Sequence, residues 1–135
     1  MLLKVKPGKA VAKIAAKLER DGVVKQPEWA ALVKSGPSRE RVATEPGFWF
    51  KRAASVLRTF CLSEGSPVGV QRLRHKYGGR KRHKVSRAHH RKSGGGVIRR
   101  IVQQLEAAGL VKREARTSGR VITAKGKKFV MEALN

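Results

Sequence analysis

The sequence predicts a mainly α-helical fold with a winged helix-turn-helix core, a two-stranded β-wing and extra N-terminal helices. Three observations predict it. Apolar residues recur at helical spacing through most of the chain. Between Leu110 and Thr123, two short β-prone runs flank a turn. One helix precedes this hairpin and another follows it, which is the order of elements in a winged helix. Many helical domains contain a hairpin, so a plain helical domain is the alternative.

Three helices are predicted before the middle of the chain. They run over Lys9–Arg20, from Pro27 to the residue before Gly36, and over about Gly47–Phe60. In each, apolar side chains recur at intervals that place them on one helix face. Trp29 and Trp49 are the largest side chains on these faces, and we expect both to hold the core. A base-stacking platform is the alternative role for Trp49.

A fourth helix is predicted to begin at Ser66-Pro67, with the serine as its N-cap and the proline as its first residue. It continues to Tyr77 and ends at Gly78. The next run, Arg80–Ser93, has one aliphatic side chain larger than alanine, so it cannot contribute much to a core. We interpret residues 78–96 as a basic, glycine-bounded loop that becomes ordered on phosphate.

The wing follows a helix that resumes at Val97 and ends at Gly109, a left-handed C′ residue. Leu110–Lys112 and Val121–Ile122 are the predicted strands, with Ser118-Gly119 in the turn between them. Thr123 is the expected N-cap of a last helix. We expect residues 1–135 to form a single domain.

The charge balance points to a polyanionic partner. Lys and Arg number 32 against 9 Asp and Glu, a formal net charge of +23. Such an excess repels itself in a compact protein, and a polyanion relieves the repulsion. A membrane surface calls instead for an amphipathic basic helix with a bulky apolar face, and no such segment dominates. Nucleic acid is therefore the expected partner, with no membrane association.

Cysteine usage and the N-terminus suggest the compartment. Cys61 is the only cysteine, so no intramolecular disulfide can form, and its apolar neighbours predict a buried core thiol. The apolar stretch at the N-terminus is too short for a signal peptide. We expect an intracellular protein in a reducing compartment.

The longest acid-free part of the sequence lies between Glu64 and Glu106. It holds Arg72, Arg74, Lys76, Arg80, Lys81, Arg82, Lys84, Arg87, Arg91, Lys92, Arg99 and Arg100. Twelve cations without a counter-charge indicate phosphate binding, which would be strongly salt-dependent because each neutralised phosphate releases counterions. The glycines Gly94-Gly95-Gly96 before a helix could add backbone amides to a phosphate contact.

Other chemistries have weak support in the sequence. His75, His83, His89 and His90 lie among cations, with no Cys or carboxylate nearby to complete a metal site, so no metal or other cofactor is expected. There is no paired carboxylate, no nucleophile motif and no nucleotide-binding glycine loop. The sequence therefore predicts neither an enzyme nor a small-molecule substrate.

Several motifs in register resemble those of the nineteen-e family of small-subunit ribosomal proteins, found in archaea and eukaryotes. The resemblance spans about Val11 to the C-terminus and is carried by Pro27-Glu28-Trp29, Trp49-Phe50, Arg52-Ala53-Ala54-Ser55, Val68-Gly69-Val70, Tyr77-Gly78-Gly79-Arg80, Arg99-Arg100 through Val111, Gly119-Arg120 through Thr123, and Gly126. Two features depart from the family pattern. The segment Arg80–Lys92 is more basic and richer in histidine, and the tail after Leu134 is very short.

The resemblance implies a structural protein in the head of the small ribosomal subunit, bound to its ribosomal RNA and next to other small-subunit proteins. In eukaryotic members it also implies a part in late maturation of the small-subunit RNA, with a nucleolar stage during assembly. Taken with the acid-free stretch, it gives the expected RNA-binding residues as Arg52, Arg58, Arg72, Tyr77, Arg80, Lys81, Arg82, Lys84, Arg87, Arg91, Lys92, Arg99 and Arg100.

The rival hypothesis is a winged-helix regulator that reads duplex DNA with the helix from Val97 to Ala108. Such proteins usually dimerise and present a defined reading face, on which Gln103 and Gln104 would contact bases. Against it, positive charge is spread over nearly every segment, and no dimerisation helix is evident.

Overall fold

The computed structural model describes residues 2–37, 39, 47–63, 66–113 and 119–135. In this part of the chain the elements are α1 (Pro7–Arg20), α2 (Phe48–Leu62), α3 (Val70–Lys76), β1 (Gly79–Lys81), β2 (His89–Arg91), α4 (Gly95–Ala107), β3 (Val111–Arg113), β4 (Arg120–Ile122) and α5 (Ala124–Leu134). Short 3-10 helices lie at Leu2–Lys4 and Glu28–Ala31. The predicted mainly α-helical, winged-helix architecture is confirmed.

The apolar core lies where α1, α2, α4 and α5 meet. Trp49 of α2 is only 1% exposed, and its indole Nε1 donates a hydrogen bond to Gln104 Oε1 of α4 at 3.1 Å. The predicted apolar faces of α1 and α4 are buried, with Leu18 and Leu105 fully enclosed. Each large apolar side chain buried in this way stabilises the fold by roughly 1.5–3 kcal/mol. The core therefore fixes α2 and α4, the helices that carry four of the predicted RNA-binding arginines.

The wing forms as predicted. β3 and β4 pair antiparallel, with Val111 opposite Ile122. Gly109 has a φ of 80°, the left-handed conformation that a helix C′ residue adopts and that suits glycine. Thr123 caps α5, since its Oγ1 accepts a hydrogen bond from the Gly126 amide at 3.1 Å. Ser118, placed in the turn by the sequence, lies outside the described residues.

The fourth predicted helix begins later than expected. α3 starts at Val70 with Gly69 as its N-cap, so the prediction that Ser66 caps the helix is wrong. Val68 instead adds a bridge to the wing: its amide donates to the Arg120 carbonyl at 2.9 Å and its carbonyl accepts from the Arg120 amide at 3.0 Å. A residue held by a strand on both backbone groups is extended, so the helix cannot begin before Gly69.

The segment around Trp29 is not the core helix that the sequence predicts. Only one 3-10 turn forms, over Glu28–Ala31. Trp29 is 39% exposed and Leu32 is 80% exposed, so their shared face does not enter the core. Trp29 packs edge-on against Trp49, with ring centroids 5.7 Å apart. A single turn cannot carry a continuous apolar stripe, and one aromatic contact takes its place.

The basic segment is also more ordered than a loop. β1 and β2 form a three-pair antiparallel hairpin, from Gly79 opposite Arg91 to Lys81 opposite His89. Gly78 lies against the Arg91 carbonyl, where a Cβ atom would clash. Gly78, the first glycine of the pair that interrupts the helix pattern, is therefore needed for the hairpin to close. Among smaller differences, Cys61 is only partly buried at the edge of the core.

Candidate nucleic-acid interface

Tyr77, at the end of α3, contacts α2 and holds the side chain of Arg52. Its hydroxyl lies 2.6 Å from Ser55 Oγ. The Arg52 guanidinium lies over its ring, 4.3 Å from the centroid, and 5.1 Å from the centroid of Phe48. Burial lowers the pKa of Arg52, Tyr77 opposes that shift, and nearby Arg39 adds to it. Arginine remains protonated at neutral pH despite such shifts. Arg52 is thus a permanent cation held between two aromatic rings.

Arg58 of α2 and Lys76, the last residue of α3, add two more cations to this group. The Lys76 ammonium donates to Thr59 Oγ1 at 2.7 Å, and Thr59 Oγ1 donates to the Ser55 carbonyl at 2.9 Å. Partial burial and the charge of Arg58 both lower the pKa of Lys76. The Arg58 Nε is buried without a hydrogen-bond partner. In the described ranges, no ion pair joins a carboxylate to Arg52, Arg58 or Lys76.

We call Arg52, Arg58, Lys76 and Tyr77 the α2–α3 cluster. Three cations lie close together, and hydrogen bonds or stacking restrain Arg52 and Lys76. Cations grouped without counter-charge repel one another, and an anion between them relieves that repulsion. The arrangement is suited to binding phosphate.

The hairpin presents a second set of cations. Arg80, Arg82, Lys84, Arg87 and Arg91 are exposed, and Lys81 is half-buried. Arg82, Lys84 and Arg87 belong to the connection between the two strands. The base of the hairpin is attached to α3, because the Ser93 amide donates to the Arg74 carbonyl and Arg74 Nε donates to the Ser93 carbonyl, both at 2.9 Å. Lys92 Nζ donates to Gln71 Oε1 at 3.2 Å.

The start of α4 completes the basic surface. Arg74 and Arg99 both approach Gly95, the first residue of the helix. The Gly94 amide, one of three that the sequence offers for phosphate, donates to the Ser35 carbonyl at 2.7 Å and is therefore occupied. No side chain caps the first turn of α4. The use of the Gly95 and Gly96 amides for phosphate stays a prediction.

The outer face of α4 carries exposed cations and one glutamine amide that is hydrogen-bonded within the protein. Arg99 and Arg100 are exposed, as is Arg72 of α3. Gln104 is half-buried: its Nε2 donates to the Lys25 carbonyl at 2.8 Å, and its Oε1 accepts from Trp49. A DNA-reading role needs this side chain to extend away from the protein into the major groove, and these two hydrogen bonds hold it against the protein. The rival hypothesis therefore loses one of the two side chains on which it depends.

The structure thus brings together Arg52, Arg58 and Tyr77, while Arg99 and Arg100 lie on α4 and the hairpin cations lie on β1, β2 and the connection between them. Sequence reasoning missed two site members as such: Lys76, bound by Thr59, and Arg74, bound to Ser93. Both lie in the acid-free stretch, so charge alone could have nominated them. Their partners depend on tertiary packing and leave no local signal.

Two further observations on the described ranges concern metal ions and membranes. No group of three His, Cys, Asp or Glu side chains is placed to hold a metal ion. Likewise, none of the helices in these ranges has the length and apolar character that crossing a membrane requires.

Comparison with known proteins decides the family. The model of the family "Ribosomal protein S19e" matches residues 1–135. The chain belongs to this family. The chain is 41% identical over 121 residues to small ribosomal subunit protein eS19 of Aeropyrum pernix, an alignment that covers 89% of this chain and 78% of the relative. It is 40% identical over 118 residues to eS19G of Ascaris suum (87% and 78%) and 35% identical over 124 residues to eS19 of Oryza sativa subsp. japonica (92% and 83%).

Membership in the S19e family confirms the resemblance found in the sequence and gives the coarse function. The protein is a structural component of the small ribosomal subunit. S19e proteins are not enzymes. As a ribosomal protein, it is located in cytoplasmic ribosomes.

Proposed function

We propose that the protein binds small-subunit ribosomal RNA in the subunit head, and that the α2–α3 cluster, the hairpin and the exposed arginines of α4 contact its backbone. The observation that carries the proposal is the cluster itself. Arg52 and Lys76 are restrained by Tyr77 and Thr59 and have no carboxylate partner among the described residues. Restrained side chains lose less conformational freedom on binding, so they bind phosphate more tightly than mobile ones.

The remaining predicted contacts belong to the same proposal. The exposed residues Arg72, Arg80, Arg82, Lys84, Arg87, Arg91, Lys92, Arg99 and Arg100, with half-buried Lys81, form a broad basic surface around the cluster. Residues 1–135 act in this proposal as one RNA-binding domain. The protein also contributes to assembly of the subunit and maturation of its RNA, beside neighbouring small-subunit proteins and, in a eukaryotic cell, with a nucleolar stage.

Sedimentation of ribosomal particles through sucrose tests the proposal. We expect the wild-type protein to travel with small subunits at moderate salt and to be released as salt increases, because phosphate contacts weaken with counterion concentration. Arg52→Glu with Arg58→Glu should shift the protein to the light fractions. Lys13→Glu with Lys128→Glu, at exposed positions on α1 and α5, is the charge-matched control. Equal loss in both variants would show that net charge, and not the cluster, holds the protein.

The DNA-binding alternative makes a different prediction. A regulator would bind one duplex sequence strongly and keep that preference at high salt. Because hydrogen bonds to Trp49 and Lys25 hold the Gln104 side chain against the protein, it cannot extend into a major groove, and we expect no such preference.

A further inference from the structure

We propose that a groove between α4 and the turn after α1 receives one extruded nucleobase of an RNA strand. The proposal rests on the proposed RNA-binding function and adds a site outside the α2–α3 cluster. The groove has a volume of about 460 Å³. Val23 and Lys25 line one side of it, and Arg100, Gln104 and Ala107 line the other.

Gln104 supplies a fixed polar edge in this groove. A primary amide has two N–H donors and two acceptor lone pairs. One donor goes to the Lys25 carbonyl at 2.8 Å and one lone pair accepts from Trp49 Nε1 at 3.1 Å. One N–H and one lone pair remain on an amide whose orientation is already set. A nucleobase edge offers the complementary pair side by side, as adenine does with N7 and N6.

The other lining residues match the remaining parts of a nucleotide. Val23 and Ala107 give apolar surface for the face of a base. The planar guanidinium of Arg100 can stack on that base. One of its nitrogens donates a hydrogen bond to Gln103 Oε1 at 3.4 Å. Lys25 is available for a phosphate, and none of the described residues that line the groove is acidic.

These three components favour RNA over an acidic peptide. A peptide carboxylate would use Lys25 and Arg100 but would have no need of the apolar surface of Val23 and Ala107 or of the paired amide edge. A nucleotide uses all three. The groove also shares Arg100 with the proposed basic surface, so a strand bound there can reach it.

Fluorescence anisotropy with two labelled strands tests the site. One strand is a short adenosine oligoribonucleotide, and the other is an abasic ribose-phosphate strand of the same length. The wild-type protein should bind the adenosine strand at least about fivefold more tightly, since stacking of a base adds affinity that phosphate contacts lack. Ala107→Trp, at an exposed helix position, fills the groove and should bring this ratio close to one.

Two further variants separate the causes. Arg100→Lys keeps the charge and removes the planar group, so it should lower the ratio while leaving the salt dependence intact. Met131→Trp on α5, next to Glu132, adds the same bulk away from the groove and should not change the ratio. Thermal unfolding of each variant verifies that it is folded.

The outcomes distinguish this proposal from the function on which it rests. If wild type binds both strands equally, or if Ala107→Trp leaves the ratio unchanged, the base pocket is wrong while RNA binding stands. If neither strand binds at low salt, both proposals fail. If Ala107→Trp keeps the ratio but prevents incorporation into small subunits, the groove is a protein contact, and the base pocket is refuted.

Discussion

Replacing Tyr77 with leucine tests whether the position of the Arg52 side chain, and not only its charge, contributes to RNA binding. The Tyr77 ring holds the Arg52 guanidinium at 4.3 Å, and its hydroxyl pairs with Ser55 at 2.6 Å. Leucine keeps an apolar side chain against α2 but removes both interactions. Arg52 remains in place as a charge and loses the surface on which it is stacked.

The expected loss of RNA affinity follows from the cost of holding Arg52 in place. A cation–π contact contributes roughly 0.5–2 kcal/mol, depending on desolvation, and half-buried Arg52 falls near the middle of that range. Once freed, the side chain must be immobilised on RNA at a cost of about 0.5–1.5 kcal/mol. Since 1.4 kcal/mol corresponds to a tenfold change, the affinity should fall about three- to tenfold. The number of phosphates contacted does not change, so the salt dependence should be retained.

Anisotropy titrations against a small-subunit rRNA fragment between about 50 and 200 mM salt measure both quantities. Arg52→Ala is the comparison, because loss of one phosphate contact should reduce the slope of log K against log salt by about one. Tyr77→Phe retains the ring and should bind almost as wild type. If Tyr77→Leu reduces the slope as much as Arg52→Ala, or leaves the affinity unchanged, the stacking argument is refuted.

Three other changes test the fold and its surface. Arg99→Glu with Arg100→Glu should leave the thermal unfolding curve almost unaltered, because both side chains are exposed, but should weaken incorporation into subunits; loss of folding would contradict the assigned helix face. Trp49→Ala removes a buried indole and should lower the free energy of unfolding in urea by about 3–5 kcal/mol; a loss below about 1 kcal/mol would contradict its place in the core. The hydrogen bond from Lys17 and its charge lower the pKa of Glu132, so its stabilising effect is present at neutral pH and is lost as pH falls through the carboxylate's folded pKa. The unfolding midpoint of Glu132→Gln should therefore lie slightly below that of wild type at neutral pH and meet it in acid, and a constant difference would contradict the ion pair.

Most of the fold could be predicted because periodicity and capping are local signals. The face of α4, the left-handed Gly109 and the Thr123 cap each depend on residues close together in sequence. Ser66 shows the limit of that reasoning. Ser66-Pro67 fits the start of a helix locally, but the next residue, Val68, pairs with Arg120 more than fifty positions away. This long-range pairing determines the backbone conformation at Val68, and residues close in sequence give no sign of it.

The hairpin and Trp29 were missed for related reasons. β1 and β2 are short, rich in charge and lack the apolar alternation by which strands are recognised. Trp29 is large and apolar, yet one 3-10 turn offers no face to bury it. In the candidate site, the sequence named Arg52, Arg58 and Tyr77 as RNA-binding residues, and their binding to RNA stays a prediction. Only the structure shows that Arg52 stacks on the Tyr77 ring and that Lys76 donates a hydrogen bond to Thr59, because these contacts join separate helices.

We propose above that this S19e protein contacts small-subunit rRNA through its basic surface, and this contact can be measured in cells. Crosslinking the protein in cells, followed by sequencing of the attached RNA and identification of the crosslinked peptide, tests it most directly. We expect one or a few discrete sites in the small-subunit rRNA, joined to peptides from α2, the hairpin or α4. Crosslinks to chromosomal DNA, to unrelated RNAs in proportion to their abundance, or to peptides of α5 alone would contradict it.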